Sequence, residues 1–374
     1  MTGSPDLLYS DVEDDLRAAV RDVLADHCPP AAVLARCESA QPYDMALYRR
    51  LAADLGLAGL TVPEQAGGQG ASARELAVVM EELGRAVAPV PFLGVAMATA
   101  VLAVADAPQT LKRIAAGELP AAVAVPLTTT PGAAFPAAVR AGADGALTGR
   151  VTSVADVSAD GVLLVPATGP DGPGLFEVPV GAAGVRVEPV VSLDLTRPVA
   201  HVVFDGAAGR AVAGAGTAAR ALEAGLLAGA GLLASEQLGV AERCLEMTVA
   251  YLGERRQFAR VVGSFQAVKH RLADLWQEVV SARAAARAAA DALAVSSPDA
   301  PVAVSVAQAY CSRVAVHAAE ECVQLHGGIG MTWEHPAHLY LKRAKADELA
   351  LGTPGRHRAL LAAAVRLPPP APES

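Results

Sequence analysis

Two short phrases in the last third of the chain carry the residue types that a diphosphate and a flat ring would need. Gly253-Glu-Arg-Arg-Gln-Phe-Ala259 closes one long helical pattern, and Ser264-Phe-Gln-Ala-Val-Lys-His270 opens the next. The corner between them presents Arg255, Arg256, an amide and an aromatic ring. A diphosphate takes cationic and N–H donors, and an adenine or flavin takes a ring to pack on. Taken alone, this corner reads better as a surface turn with solvated arginines. The second phrase is Gln324-Leu-His-Gly-Gly-Ile-Gly-Met-Thr332. Its glycines would let a ligand come close to the backbone. No Lys-Ser/Thr follows and no strand precedes, which excludes a P-loop and the dinucleotide fingerprint. By itself it is a glycine helix stop, with His326 structural.

Other polar residues read as structure. Glu334 and His335 suit a helix start before Pro336 better than an acid–base pair. Asp347 and Glu348 read as a solvated helix face. The cysteines, Cys28, Cys37, Cys244, Cys311 and Cys322, are odd in number with no paired spacing. That pattern gives no metal site and no disulfide framework, and describes reduced, mostly buried thiols, with one reactive cysteine as the lesser reading.

Three zones must position these residues. Residues 1–118 read as helical. Ser10 and Glu13 form a capping box for a helix through Ala25, a second helix spans about 44–55 and stops at Gly56, and a third runs from Ser72 to about Ala88. Residues 119–208 hold short Val-rich runs at 121–125, 162–165, 175–180 and 200–204, the signature of a small antiparallel β-domain. Residues 209–366 return to helix at about 219–252, 264–295, 300–326 and 336–350, with a shorter helix after Thr353. These are too apolar to be solvated alone and form a bundle that also packs on another subunit. Residues 367–374 read as a disordered tail. The expected class is α+β.

The 374 residues are 53% hydrophobic, 18% charged and 4% aromatic, with a net charge of −9. The apolar surplus suits tight helix packing and a large subunit interface. The negative balance disfavours nucleic acid. No run of about 18 apolar residues is uninterrupted, so no membrane span is expected. The acidic Met1–Glu13 stretch lacks a signal pattern, which points to the cytoplasm.

The two phrases together, about 65 residues apart, resemble the acyl-CoA dehydrogenase family. The resemblance extends to Leu55–Gly68, Glu81-Glu-Leu-Gly-Arg85, Leu341-Lys-Arg-Ala-Lys345 and Gly352-Thr353. It implies two helical domains flanking a β-domain, assembled as a dimer of dimers. FAD would lie between the β-domain and the bundle, with its ADP portion crossing to a neighbour. By motif, Arg255, Gln257, Phe258 and Gln266 would bind the ADP portion; a Thr often stands where Gln257 is. Gln324, Gly327 and Gly328, from the other subunit, would close over the pyrophosphate, and Thr353 would lie near the flavin. The implied reaction is α,β-dehydrogenation of an acyl-CoA thioester. A carboxylate takes the α-proton, flavin takes the β-hydride, and electrons pass to an electron-transfer flavoprotein.

The chain departs from that family where the chemistry is. The usual catalytic Glu before Gly-Thr is Leu351, and the alternative Glu position on the first long helix aligns with Gly229. Glu223 and Glu236 share that helix out of register, and Glu223 is the weak remaining candidate for a base. The β-domain reads Pro126–Ala133 and Gly149–Ala155, without the family's usual acidic-glycine phrase or flavin-covering Trp. This combination is similar to divergent actinobacterial members that work as unequal subunits of α2β2 complexes, best known in sterol side-chain degradation. The expectation is an FAD-dependent acyl-CoA dehydrogenase subunit in a homo- or hetero-tetramer. Its alternatives are a non-catalytic partner that completes an FAD site, a self-sufficient homotetramer using Glu223, and a flavin oxidase or monooxygenase on the same fold.

Overall fold

The computed structural model describes residues 7–105 and 107–367. Most of the expected tail, 368–374, and the first six residues lie outside them. The amino-terminal helices are α1 (Asp11–His27), α2 (Pro30–Cys37), α3 (Met45–Arg49), α4 (Ala73–Ala86), α5 (Phe92–Ala105) and α6 (Pro108–Ala115). The capping box forms: Glu13 N–H donates to Ser10 Oγ, and Ser10 N–H to the Glu13 carboxylate. Asp44 caps α3, whose α-helical part is shorter than the pattern suggested because residues 50–54 widen into a π turn before left-handed Gly56. Helix α5 has almost no polar face and is buried nearly all round, so periodicity gave no signal for it.

The middle sheet contains β1 (Ala121–Val123), β2 (Val139–Ala141), β3 (Ala146–Ala155), β4 (Val162–Gly169), β5 (Gly172–Pro179), β6 (Val185–Val190), β7 (Val199–Ala208) and β8 (Arg210–Ala213). Its order is β6-β7-β3-β2-β4-β5-β8, with β1 on β4. Two pairings, β1–β4 and β2–β4, are parallel, so the sheet is antiparallel with a mixed core. It also runs to Ala213, past the expected boundary at 208, because β8 pairs with β5.

The carboxy-terminal helices are α7 (Ala218–Glu254), α8 (Gln266–Ala294), α9 (Ala300–His326), α10 (Ala337–Leu349) and α11 (Pro354–Ala364). Helix α7 is the axis of the molecule, packing on α4, α5, α8 and α9. It is long and apolar enough to cross a membrane, but 83% of its most apolar window is buried within the fold, which makes it a core helix. Small residues allow this. A Cβ on Gly239 would sit 1.9 Å from the Glu81 carbonyl oxygen, and one on Gly84 2.1 Å from that of Glu236. Helices α4 and α7 therefore cross backbone to backbone.

Candidate functional site

The first phrase forms a corner at the exposed end of α7. Strands β9 (Arg256–Gln257) and β10 (Arg260–Val261) pair around a two-residue turn. Phe258 (φ 51°) and Ala259 (φ 61°) are both left-handed there, as the twist of such a hairpin requires but a side chain resists. The turn holds the Phe258 ring 88% exposed, edge-on to Phe265 at 6.3 Å. The Arg260 guanidinium lies 3.6 Å over the Phe265 ring. Arg255, Arg256 and Gln257 are exposed, as is Gln266 at the start of α8.

The second phrase ends α9. Gly327 (φ 64°, ψ −140°) takes a conformation closed to other residues, and a short 3-10 turn follows. A Cβ at Gly327 or Gly328 would meet nothing within 4 Å, so backbone faces open space, with Gln324 exposed beside it. The His326 ring stacks on Tyr251 at 4.5 Å and against His335 at 4.4 Å, and its Nδ1–H donates to the Cys322 carbonyl at 2.6 Å. Tyr251 lies one turn before Arg255. Within one chain, therefore, both phrases stand at the same end of the bundle.

Thr353 is not with them. Its Oγ1 caps α11, accepting from Arg356 N–H, and α11 sits at the other end of α9, where His357 meets Ser305 at 3.4 Å. From Ser305 to His326 is roughly 30 Å of helix.

The two expected base positions converge. Leu351 is fully buried and left-handed (φ 52°). Its N–H donates to the Leu127 carbonyl at 2.7 Å, and its carbonyl accepts from His357 Nε2 at 3.0 Å. A Cβ on Gly229 would lie 3.1 Å from Leu351 Cδ1 and 2.6 Å from Met97 Cγ. Residues 351 and 229 thus meet, and neither is acidic. The hollow beside Leu351, lined also by Leu93, Met97, Leu127 and Asp156, is about 20 Å³. That holds about one water.

Glu223 does not reach this spot. It lies almost two turns earlier on α7 and accepts the Gly132 N–H at 2.8 Å, with its pKa raised by burial. Its far side lines a hollow of about 170 Å³ with Leu227, Val302, Ser305 and Leu361. The carboxylate that does line the chamber is Asp156, which the sequence does not single out because it follows a strand as an ordinary loop acid. Both its oxygens are engaged, by Gly94 N–H at 2.6 Å and Tyr43 O–H at 3.2 Å, and burial raises its pKa.

Behind the chamber lies a buried ionic lattice. Arg343 donates to Asp194 (2.6 Å), Glu236 (2.5 Å) and Thr196 (2.5 Å); Arg197 donates to Asp347 (2.6 Å) and Glu236 (2.5 Å). Asp347, expected on a solvated face, is fully buried because its side of α10 turns toward the loop before β7. Glu236 is likewise bound up as a lattice member and is no displaced base. Burial, with Glu236 and Asp194 adding to it, pushes the Asp347 carboxyl up to about 8 against the pull of Arg197 and Arg343. Its Oδ2 has no partner, as suits a protonated acid. Cys28, Cys244, Cys311 and Cys322 are buried free thiols and Cys37 is partly exposed. Cys322 alone is pulled down, to about 5, by Cys244 and His326.

The corner and the open glycine turn fit the ADP half of a dinucleotide: exposed guanidinia, an exposed ring, and backbone no side chain covers. The chamber does not fit a three-ring flavin, since sites for such ligands run to hundreds of Å³.

Comparison with known proteins agrees in extent. Residues 10–118 match the family model of the acyl-CoA dehydrogenase N-terminal domain, and residues 214–366 that of the C-terminal domain. The chain is 34% identical to acyl-CoA dehydrogenase IpdE2 of Mycolicibacterium smegmatis over 92% of its own length and 96% of that relative. Among solved structures it is similar to the ChsE4-ChsE5 complex from Mycobacterium tuberculosis, with TM-score 0.84, 30% identity, and 98% and 100% of the two chains covered. It is also similar to the Tcur3481-Tcur3483 steroid ACAD G363A variant, with TM-score 0.85, 32% identity, and 95% and 98% covered.

Proposed function

Because the chain belongs to the acyl-CoA dehydrogenase family, whose members are oxidoreductases acting on CH–CH donors and bind FAD, we propose that it works as one subunit of a heteromeric acyl-CoA dehydrogenase. In this reading it holds the ADP half of an FAD shared with a related, Glu-bearing subunit. The observation that carries it is the split between the two ends of the bundle. Leu351 and Gly229 meet with no carboxylate between them, while the Arg255–Gln266 corner and the Gln324–Gly328 turn stand open.

The chain's own residues would do the following. Arg255 and Arg256 offset diphosphate charge, Gly327 and Gly328 let that diphosphate lie against bare backbone, and Phe258 supplies a face for the adenine. Gln257 and Gln266 add polar contacts at the rim. FAD, when bound, supplies the hydride acceptor for α,β-dehydrogenation. The α-proton would go to the partner's base, because among the described residues no carboxylate reaches position 351 free of other bonds. Two of the similar structures are named as pairs of chains, one as a steroid enzyme, which supports a heteromer acting on a bulky, steroid-type CoA thioester. A tetrameric assembly, a cytoplasmic location and an electron-transfer flavoprotein as acceptor complete the proposal.

Co-expression tests it. Tagged chain should draw down a Glu-bearing relative and FAD together, and ferricenium-linked turnover of steroid-CoA thioesters should need both chains. Normal turnover by the lone chain would overturn the reading.

A further inference from the structure

We infer that this chain seats neither a flavin ring nor a thioester between its own sheet and bundle, because the loop 126–135 is strapped across that boundary and Met97 fills the space beneath it. The strap is tied at both sides. Leu127 N–H donates to the Ser153 carbonyl of β3 at 2.9 Å, and the Leu127 carbonyl accepts the Leu351 N–H of the bundle at 2.7 Å. Further along, Gly132 N–H is held by the Glu223 carboxylate on α7. Thr130 lies so close to Gly352 that a Cβ there would be 2.7 Å from its Cγ2. One residue thus bridges sheet and bundle through both its N–H and its C=O.

Below the strap the room is taken. Gly225 and Gly229 bring α7 against α5: a Cβ on Gly225 would be 2.4 Å from Val101 Cγ2, and one on Gly229 2.6 Å from Met97 Cγ. Met97 packs there beside Leu351, leaving about 20 Å³. The hollow outside the strap, about 170 Å³, and the one near Phe135, about 30 Å³, also fall short of a tricyclic ring. Admitting the ring would mean breaking the Leu127–Leu351 bond and moving Met97 out of a close-packed site. Glu223 is therefore a clamp on the strap, a role consistent with its position away from residue 351. This inference concerns this chain's own chamber; that the ring then lies in a partner rests on the reading proposed above.

Two measurements on the purified full-length chain test it. Titrating it with FAD should leave the flavin absorption band unshifted and unresolved; uptake near one per chain, with a protein-shifted and vibronically resolved band, would overturn the inference. Hydrogen exchange in the peptide covering residues 349–353 should show the Leu351 amide strongly protected; exchange at the rate of the exposed corner 255–260 would equally overturn it, because the strap would then be open. Neither outcome decides whether the chain pairs with a relative, which co-purification answers separately.

Discussion

At the scale of single residues, position 351 is the most informative. A non-glycine residue in the left-handed region is held only where its surroundings over-determine it. Leu351 is held so by bonds at both its N–H and its carbonyl. Leu351→Glu should not endow the lone chain with turnover. It would put a carboxylate into a hollow with room for about one water beside buried Asp156, costing about 3 kcal/mol or more. Urea denaturation of the variant checks the magnitude, and turnover by it would show that the chamber opens.

Phe258 offers a gentler test. Ala259→Gly relieves one of the two left-handed residues in the hairpin and should stabilise the corner by up to about 1 kcal/mol. A loss of stability would mean that the turn is not strained. Arg255→Ala in the co-expressed pair should leave the fold intact and lower FAD retention by roughly tenfold, on the scale of one charge-assisted contact. Flavin content after dialysis at rising salt reads this out, and unchanged retention would remove Arg255 from the nucleotide site.

Between elements, the crossings of α7 decide what is tolerated. At Gly239 an added methyl would meet backbone of α4, which cannot turn aside, so Gly239→Ala should cost at least about 3 kcal/mol. At Gly253 it would meet nothing, so Gly253→Ala should be neutral or stabilise by about 0.5–1 kcal/mol, as helix propensity alone gives. Thermal midpoints of the two variants should separate clearly; equal values would show that the α4–α7 crossing is looser than its geometry. The lattice around Arg343 adds a pH dependence. Asp347 has a folded pKa raised to about 8, above its unfolded value near 3.9. Its stabilising contribution is therefore complete below pH about 4 and fades as pH climbs toward and through 8. Stability should fall between about pH 4 and pH 8 and level off above, and Asp347→Asn, which keeps a neutral side chain at every pH, should flatten that slope. An unchanged slope would assign the effect elsewhere.

At the scale of the whole molecule, a helical domain, a sheet and a bundle close around α7, with the Arg255–Gln266 corner at its far end and the Leu351 hollow beside its first turns. Much of this was legible in the chain. Helix α9 could be read to its last residue because Gly327 must be glycine, and α1 could be read from its capping box. Helix α5 was not legible, since a helix buried on every side has no periodicity. Nor was the burial of Asp347, because a charged residue on a helix is solvated unless some distant segment comes to meet it, and here Arg197 arrives from 150 residues away. The sequence by itself determined the family, the three-zone order, the corner and glycine turn, and the absence of a carboxylate at 351 and 229. These depend on residue identity and short-range spacing. Only the tertiary structure decided that residues 351 and 229 meet, that Glu223 clamps a strap instead of facing them, and that Met97 leaves no room beneath it. Those are outcomes of side chains competing for one volume, and the competitors come from α5, α7, the strap and the α10–α11 turn, far apart along the chain.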